Sequence, residues 1–232
     1  MDFDQAVAYL NNLQPLGIRL GLDRFRALLG ALDHPERCCP AAHVAGTKGK
    51  GSVTAMMASI LKQHGISAGA YLSPYVYDIC ERVLIDGEPA SKPLFAECLD
   101  RVAAAAEGLA DGPDGPCTEF EVKTALAFEA FRRSEVEASV VEVGLGGRLD
   151  ATNVIEPRVC VITTIDIFPR IKQLTVVIGA GDLNEIDTII RPVIEEWARQ
   201  IACDTMLIMG RPGWQRALEG YRRTAVVLEK RL

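Results

Sequence analysis

His43-Val-Ala-Gly-Thr-Lys-Gly-Lys-Gly-Ser-Val53 is the stretch on which the reading of this 232-residue chain turns. Its lead-in, Ala41, Ala42, Val44 and Ala45, is apolar and predicts a short buried strand. Gly46, Gly49 and Gly51 then surround Lys48 and Lys50, Thr47 sits between, and Ser52 closes the loop ahead of a helix over 53–63. Strand, glycine loop, lysine, hydroxyl and helix is the layout of a phosphate cradle. Glycines let backbone N–H groups turn inward to phosphate oxygens, and the helix start adds unpaired N–H groups and a positive dipole end. A lysine supplies a point charge, and a hydroxyl such as that of Ser52 can meet Mg²⁺. The match to the Walker A pattern is incomplete: position 44 is Val, and Gly51 separates Lys50 from Ser52. A flexible surface turn is the competing reading.

Outward from the loop, Val53, Met56, Met57, Ile60 and Leu61 form one apolar stripe, Gly65 ends the helix, and 67–72 reads as a second strand. Strand, helix and strand at this spacing make a βαβ unit and predict a parallel sheet. Upstream, helices are expected over 4–12, with Asp4 as N-cap, and over 23–32. Downstream, 82–85 is extended and Asp86-Gly87 is a turn signal. Ser91 caps a helix to about Leu109, and Thr118-x-x-Glu121 is a capping box for a helix to about Arg133. Strands follow over 139–143 and 158–165. The tail continues the alternation: strands over 174–179, 205–209 and 224–228, helices over 182–202 and 214–220. The fold class expected is α/β, a mostly parallel, doubly wound, three-layer sheet with a P-loop. Residues 1–165 are expected to form the phosphate-loop domain, and 166–232 an α/β tail that completes the sheet or is a shortened second domain.

Glu142 is the second informative residue. At the C-terminal end of a predicted parallel strand it lies where open α/β sheets place ligands, within reach of a nucleotide-bound Mg²⁺; a solvent-facing edge residue is the other reading. Gly144-Leu-Gly-Gly147 resembles a dinucleotide fingerprint weakly, and Ile178-Gly-Ala-Gly-Asp182 more weakly still. The net charge of −6 argues against a nucleic-acid surface. No apolar run approaches the roughly 18 residues of a membrane helix, and Met1-Asp-Phe-Asp-Gln5 lacks the features of a signal peptide. Seven cysteines, an odd number without CxxC spacing, read as reduced thiols of a cytoplasmic protein; the adjacent Cys38-Cys39 is a redox pair only on a minority reading.

The strings HVAGTKGKGSV (43–53), LSPYVYDICERVLIDGEPAS (72–91), TEFEVKTALAFEAF (118–131) and EVGLGGRLDATNV (142–154) occur in one order. Together they resemble folylpolyglutamate synthase and dihydrofolate synthase, ATP-dependent amide ligases related to the Mur ligases. The likeness runs over about residues 7–165. It implies that ATP phosphorylates the carboxylate of a pteroate or folate and that the amino group of L-glutamate then attacks, giving an amide, ADP and phosphate. By resemblance, Gly46, Thr47, Lys48, Gly49, Lys50, Gly51 and Ser52 cradle the phosphates. Lys50 and Glu142 carry the catalysis, Ser52 and Glu142 hold Mg²⁺, and Ser73 joins the metal environment. Pro74–Glu88 resembles the family's mobile loop; Asp150 and Asn153 lie in a matching motif without an assigned role.

The chain also departs from the pattern. Where the family has an Asp-His pair it reads Asp166-Ile167, and the family's Glu-Lys-Ala-Gly stretch and later carbamylated lysine are not visible. Full-length members are longer and end in a separate Rossmann-like domain, so a protein partner supplying that half is one expectation. A non-catalytic nucleotide-binding module, or half of a split ligase, is the alternative to a weakly active ligase; a kinase or hydrolase using the same loop is a third.

Overall fold

The computed structural model describes residues 1–17, 19–168, 171–180, 195, 196, 199 and 205–209. In chain order these give α1 (Phe3–Leu13), α2 (Asp23–Ala31), β1 (Ala41–Gly46), α3 (Lys50–Gln63), β2 (Ala68–Tyr71), β3 (Val83–Ile85), β4 (Glu88–Pro89), α4 (Lys92–Gly108), α5 (Glu119–Arg133), β5 (Ala138–Glu142), β6 (Val159–Phe168), β7 (Ile171–Ala180) and β8 (Thr205–Met209). The helices read from sequence over 182–202 and 214–220, the strand over 224–228 and the end of the Ile178–Asp182 glycine run lie outside the described residues.

The strands form one eight-stranded sheet in the order β4-β3-β2-β5-β1-β6-β7-β8. The centre is parallel: β2 with β5, β5 with β1, and β1 with β6. The two flanks are not. β2, β3 and β4 run antiparallel through the Asp86-Gly87 turn, and β6 pairs antiparallel with β7. Two residues separate β6 from β7, too few for a parallel crossover. β8 then pairs parallel with β7, so parts of the tail are built into the same sheet.

Alternation along the central strands divides the interior into two faces. Tyr71, Val141 and Ala41 point to one face, against a cluster built from α1, α2, α4 and α5 with Phe95, Phe128 and Phe131 at its centre. Val44, Ala68, Ala70 and Val140 are buried outside that cluster, as are Val53, Met57 and Ala58 of α3, which packs on β1, β2 and β5. Helices therefore cover both faces, the three-layer, doubly wound arrangement expected. β5 is the fourth of the eight strands in this order and not an edge strand, and Glu142 is 3% exposed; it is not a solvent-facing edge residue.

Two local expectations change. α1 is capped by Asp2, whose carboxylate accepts from the Gln5 amide while Gln5 Oε1 accepts from the Asp2 amide; Asp4 falls inside the first turn. α3 begins at Lys50 and not at Val53, because Gly49 takes a left-handed φ of 82° that turns the chain straight from the loop into the helix. The 151–154 segment is a single 3₁₀ turn, capped by the Asp150 side chain.

Two contacts hold the frame that positions the loops. Arg24 of α2 grips Glu121 of α5 by two bonds, Nε to Oε2 at 2.9 Å and Nη2 to Oε1 at 2.8 Å, both side chains being buried. The same carboxylate accepts from the Thr118 amide at 2.7 Å, so the capping box read from sequence is also an ion-pair anchor. At the other side of the fold, Gly46 ends β1 with φ 146°. A Cβ there would stand 2.0 Å from the carbonyl oxygen of Thr163 on β6, and the next amide, Thr47 N–H, donates to that oxygen at 3.1 Å.

Arg24→Ala leaves a buried carboxylate without its cation and is expected to cost about 3–5 kcal/mol in urea unfolding, with Arg24→Lys recovering little because the two-bond geometry is lost. Gly46→Ala is expected to cost about 3 kcal/mol or more, since clash and backbone strain add. Gly65→Ala tests the strain alone: its φ is 78° with open space around it, and it should cost only about 1–2 kcal/mol.

Candidate functional site

The C-terminal ends of β1, β2 and β5 meet at one place, and three loops leave from it. The first is Gly46–Gly49. Its far end opens α3, whose N-cap, Gly49, brings no side chain to the helix start. The first-turn N–H groups of an α-helix have no intrahelical partner. At α1, α4 and α5 a capping side chain satisfies one of them; at α2 and α3 none does. Lys50, the first helical residue, folds back so that Nζ donates to Gly46 O at 3.2 Å across the bend. The outer wall is Thr163, whose hydroxyl donates to Lys48 O at 2.9 Å. Thr47, Lys48 and Ser52 are exposed around the rim. Unpaired amides, a positive helix end and an ammonium group together stabilise an anion.

Glu142 stands opposite. β5 is paired directly with β1, with Glu142 in register with Val44. Its carboxylate oxygens lie 3.5 and 3.7 Å from the position a Cβ on Gly51 would take, an ordinary contact distance, so the carboxylate stands directly against the start of α3. Oε2 accepts from the Ser73 amide at 2.7 Å. Burial pushes the Glu142 pKa above the usual carboxylate range, against the Ser73 N–H and the charges of Lys50 and Arg82. The structure thus brings Gly51, Glu142 and Ser73 together, with Lys50 near enough to bias the carboxylate. Ser73 meets Glu142 through its backbone and not its hydroxyl. Among the described residues no group of three or more His, Cys, Asp or Glu side chains gathers to hold a metal.

The second and third loops, 72–82 and 143–150, enclose a cavity of about 360 Å³ with the 17–21 segment. Arg19, Ser73, Arg82, Phe120, Leu149 and Asp150 are among its lining. Nε and Nη1 of Arg82 are buried with no hydrogen-bond partner, and its guanidinium lies 5.6 Å from the centre of the Tyr75 ring. Such unpaired buried donors are rare and call for an explanation. Glu81 orders the rim by accepting from the amides of Val76, Tyr77 and Asp78.

Asp150, unassigned from sequence, ties the third loop to β1. It accepts from the Leu145 amide at 2.7 Å and from the Thr152 amide and hydroxyl at 2.9 and 2.5 Å. The Thr152 hydroxyl, having donated, accepts from His43 Nε2 at 2.8 Å, which fixes the ring as the Nε2–H tautomer. Burial lowers the His43 pKa, with Asp150 opposing, so the imidazole stays neutral. Asn153 instead donates to Arg148 O and only shapes the turn. Arg82, Thr152 and His43 were missed as site residues. Asp150-Ala-Thr152, an acceptor two residues before a hydroxyl, was the one local sign.

No family model matches the sequence. A dihydrofolate synthase/folylpolyglutamate synthase of Bacillus subtilis is 38% identical over 164 residues, 70% of this chain and 38% of that protein. A folylpolyglutamate synthase of Thermotoga maritima superposes with a TM-score of 0.68 at 29% identity, over 89% of this chain and 49% of the other. An E. coli relative solved in complex with DHPP and ADP gives 0.65 at 26% identity, over 91% and 52%. The chain spans about two fifths of the length of the curated relative and half that of the solved ones. With four ordered motifs and the same class of relatives in both comparisons, the chain is similar over about 70% of its length to folylpolyglutamate synthases/dihydrofolate synthases of the Mur ligase family, consistent with their N-terminal domain.

Proposed function

We propose that this chain carries the ATP-binding part of an amide ligase that adds L-glutamate to the carboxylate of a pteroate or folate. The observation that supports it most is the pairing of an uncapped helix start with a buried carboxylate, Glu142, beside a cavity lined in part by Arg82, whose Nε and Nη1 are buried without a partner. A magnesium-bound triphosphate fits the first two features. The helix start and Lys50 offer donors to its oxygens. With one carboxylate at the site and no acidic cluster among the described residues, magnesium would be held in its common manner, by Glu142, the Ser52 hydroxyl, phosphate oxygens and water. Bound there, the ion would neutralise charge on the phosphates. Ser73 keeps Glu142 aimed by its N–H, and its hydroxyl belongs to the same environment.

The cavity takes the second substrate. Phe120 and Leu149 suit a flat aromatic body, and Arg82 offers two N–H groups to a carboxylate. Holding that carboxylate near the terminal phosphate of ATP makes phosphoryl transfer a matter of positioning and charge neutralisation. Attack by the glutamate amine on the acyl phosphate then yields amide and phosphate.

Residues 1–165 carry the ATP-binding domain in this reading, and from the tail 166–168, 171–180 and 205–209 extend its sheet, as the pairing of β6, β7 and β8 supports. The complete reaction is assigned to this site together with the part of the relatives' length that the chain does not span, carried on the same polypeptide or by a partner. Free thiols at the described cysteines suit a cytoplasmic setting; among the described residues no helix is long and apolar enough to cross a membrane.

Phosphate release from Mg·ATP is the test. It should require both a pteroate or folate and L-glutamate, in the chain alone or with the missing portion added. Release with neither substrate would identify a hydrolase, and binding of Mg·ATP with no release under any combination would identify a nucleotide-binding module.

A further inference from the structure

Away from this site, at the opposite end of β1, Cys38 and Cys39 follow the 35–37 turn. Six strand residues put them about 20 Å from Gly46. Both are free thiols; Cys38 is exposed and Cys39 half-buried. Their sulfurs are 3.7 Å apart, with the Cys38 thiol donating to Cys39. The backbone next to Cys39 is tied to β5, where Pro40 O accepts from the Ser139 amide at 2.9 Å. The neighbouring Cys38 thiol, and then the Ser139 side chain, pull the Cys39 pKa down to about 7 against burial, so a thiolate is present at neutral pH.

A disulfide does not suit this pair. It needs sulfurs at about 2.05 Å and Cα atoms at about 4.4–6.8 Å, whereas adjacent residues hold their Cα atoms at about 3.8 Å. A bridging atom suits it better. Two thiolate bonds of about 2.3 Å meeting at about 100–110° set their sulfurs about 3.5–3.8 Å apart, close to the spacing observed. Zinc wants four ligands, and among the described residues no third His, Cys, Asp or Glu joins the pair. Trivalent arsenic that already carries one carbon needs two sulfurs and no more.

We infer that Cys38-Cys39 is a chelating dithiol site for mono-organic trivalent arsenic compounds, formed without rearrangement of the fold. With phenylarsine oxide the reaction balances as two S–H bonds broken, two As–S bonds formed and one water released. Both protons go to the oxide oxygen, and arsenic stays in the +3 state.

The test is intact-mass analysis and titration of the full chain with phenylarsine oxide at pH 7, with thermal melts to confirm that each variant is folded. The wild type should take one equivalent, reversed by ethanedithiol. Cys38→Ser and Cys39→Ser should each weaken binding at least about 100-fold, because the second bond is lost as an intramolecular step. Absence of an adduct in the wild type, or an equally tight adduct in either folded single variant, would overturn the site.

Discussion

The approach of β1 to β6 at Gly46 is the constraint on which the rest of the site depends. The Thr163 carbonyl occupies the space where any other residue would place a Cβ, 2.0 Å away. That closeness lets Thr47 N–H bond the same oxygen and the Thr163 hydroxyl bond Lys48 O. The outer wall of the loop is thereby fixed to a strand, and the loop's remaining amides are left to the helix start. Gly49 then turns the chain into α3 so early that Lys50 is already helical, which is why its ammonium reaches back over the bend instead of out to solvent.

Opposite this wall, one carboxylate is kept in a contested state. Burial favours the neutral form of Glu142, while the Ser73 amide, Lys50 and Arg82 favour the charged form. A group balanced in this way gains most from a cation, which suits the proposed role of a single acidic residue where no acidic cluster gathers among the described residues. The same loops that present Ser73 and Asp150 also bound the cavity, so ligands for the two halves of the proposed reaction share a wall.

Much of this was legible in the sequence because the signals are local. Thr118-x-x-Glu121, Asp86-Gly87 and the Gly46–Ser52 run each specify backbone geometry within a few residues, and the apolar stripes specify which side faces the sheet. Glu142 stood out as a charge in an apolar strand. What was not legible depends on contacts across the fold. The partner of Glu121 is 97 residues away. The chain from His43 through Thr152 to Asp150 joins segments 109 residues apart. The antiparallel β6–β7 pair followed from a connection too short to cross over, although the residues themselves continue the α/β alternation. Cys38 and Cys39 were visible as neighbours, but only coordinates give the sulfur spacing that separates chelation from a disulfide.

The central claim is that the Gly46–Ser52 amides and Glu142 enclose one magnesium-bound triphosphate. Amide hydrogen exchange with and without Mg·AMPPCP tests it most directly. The account predicts slowed exchange at Lys48 through Ser52 and at Ser73, present with magnesium and much reduced in Glu142→Gln. Protection confined to other segments, or protection of the loop that is unchanged in Glu142→Gln, would contradict it.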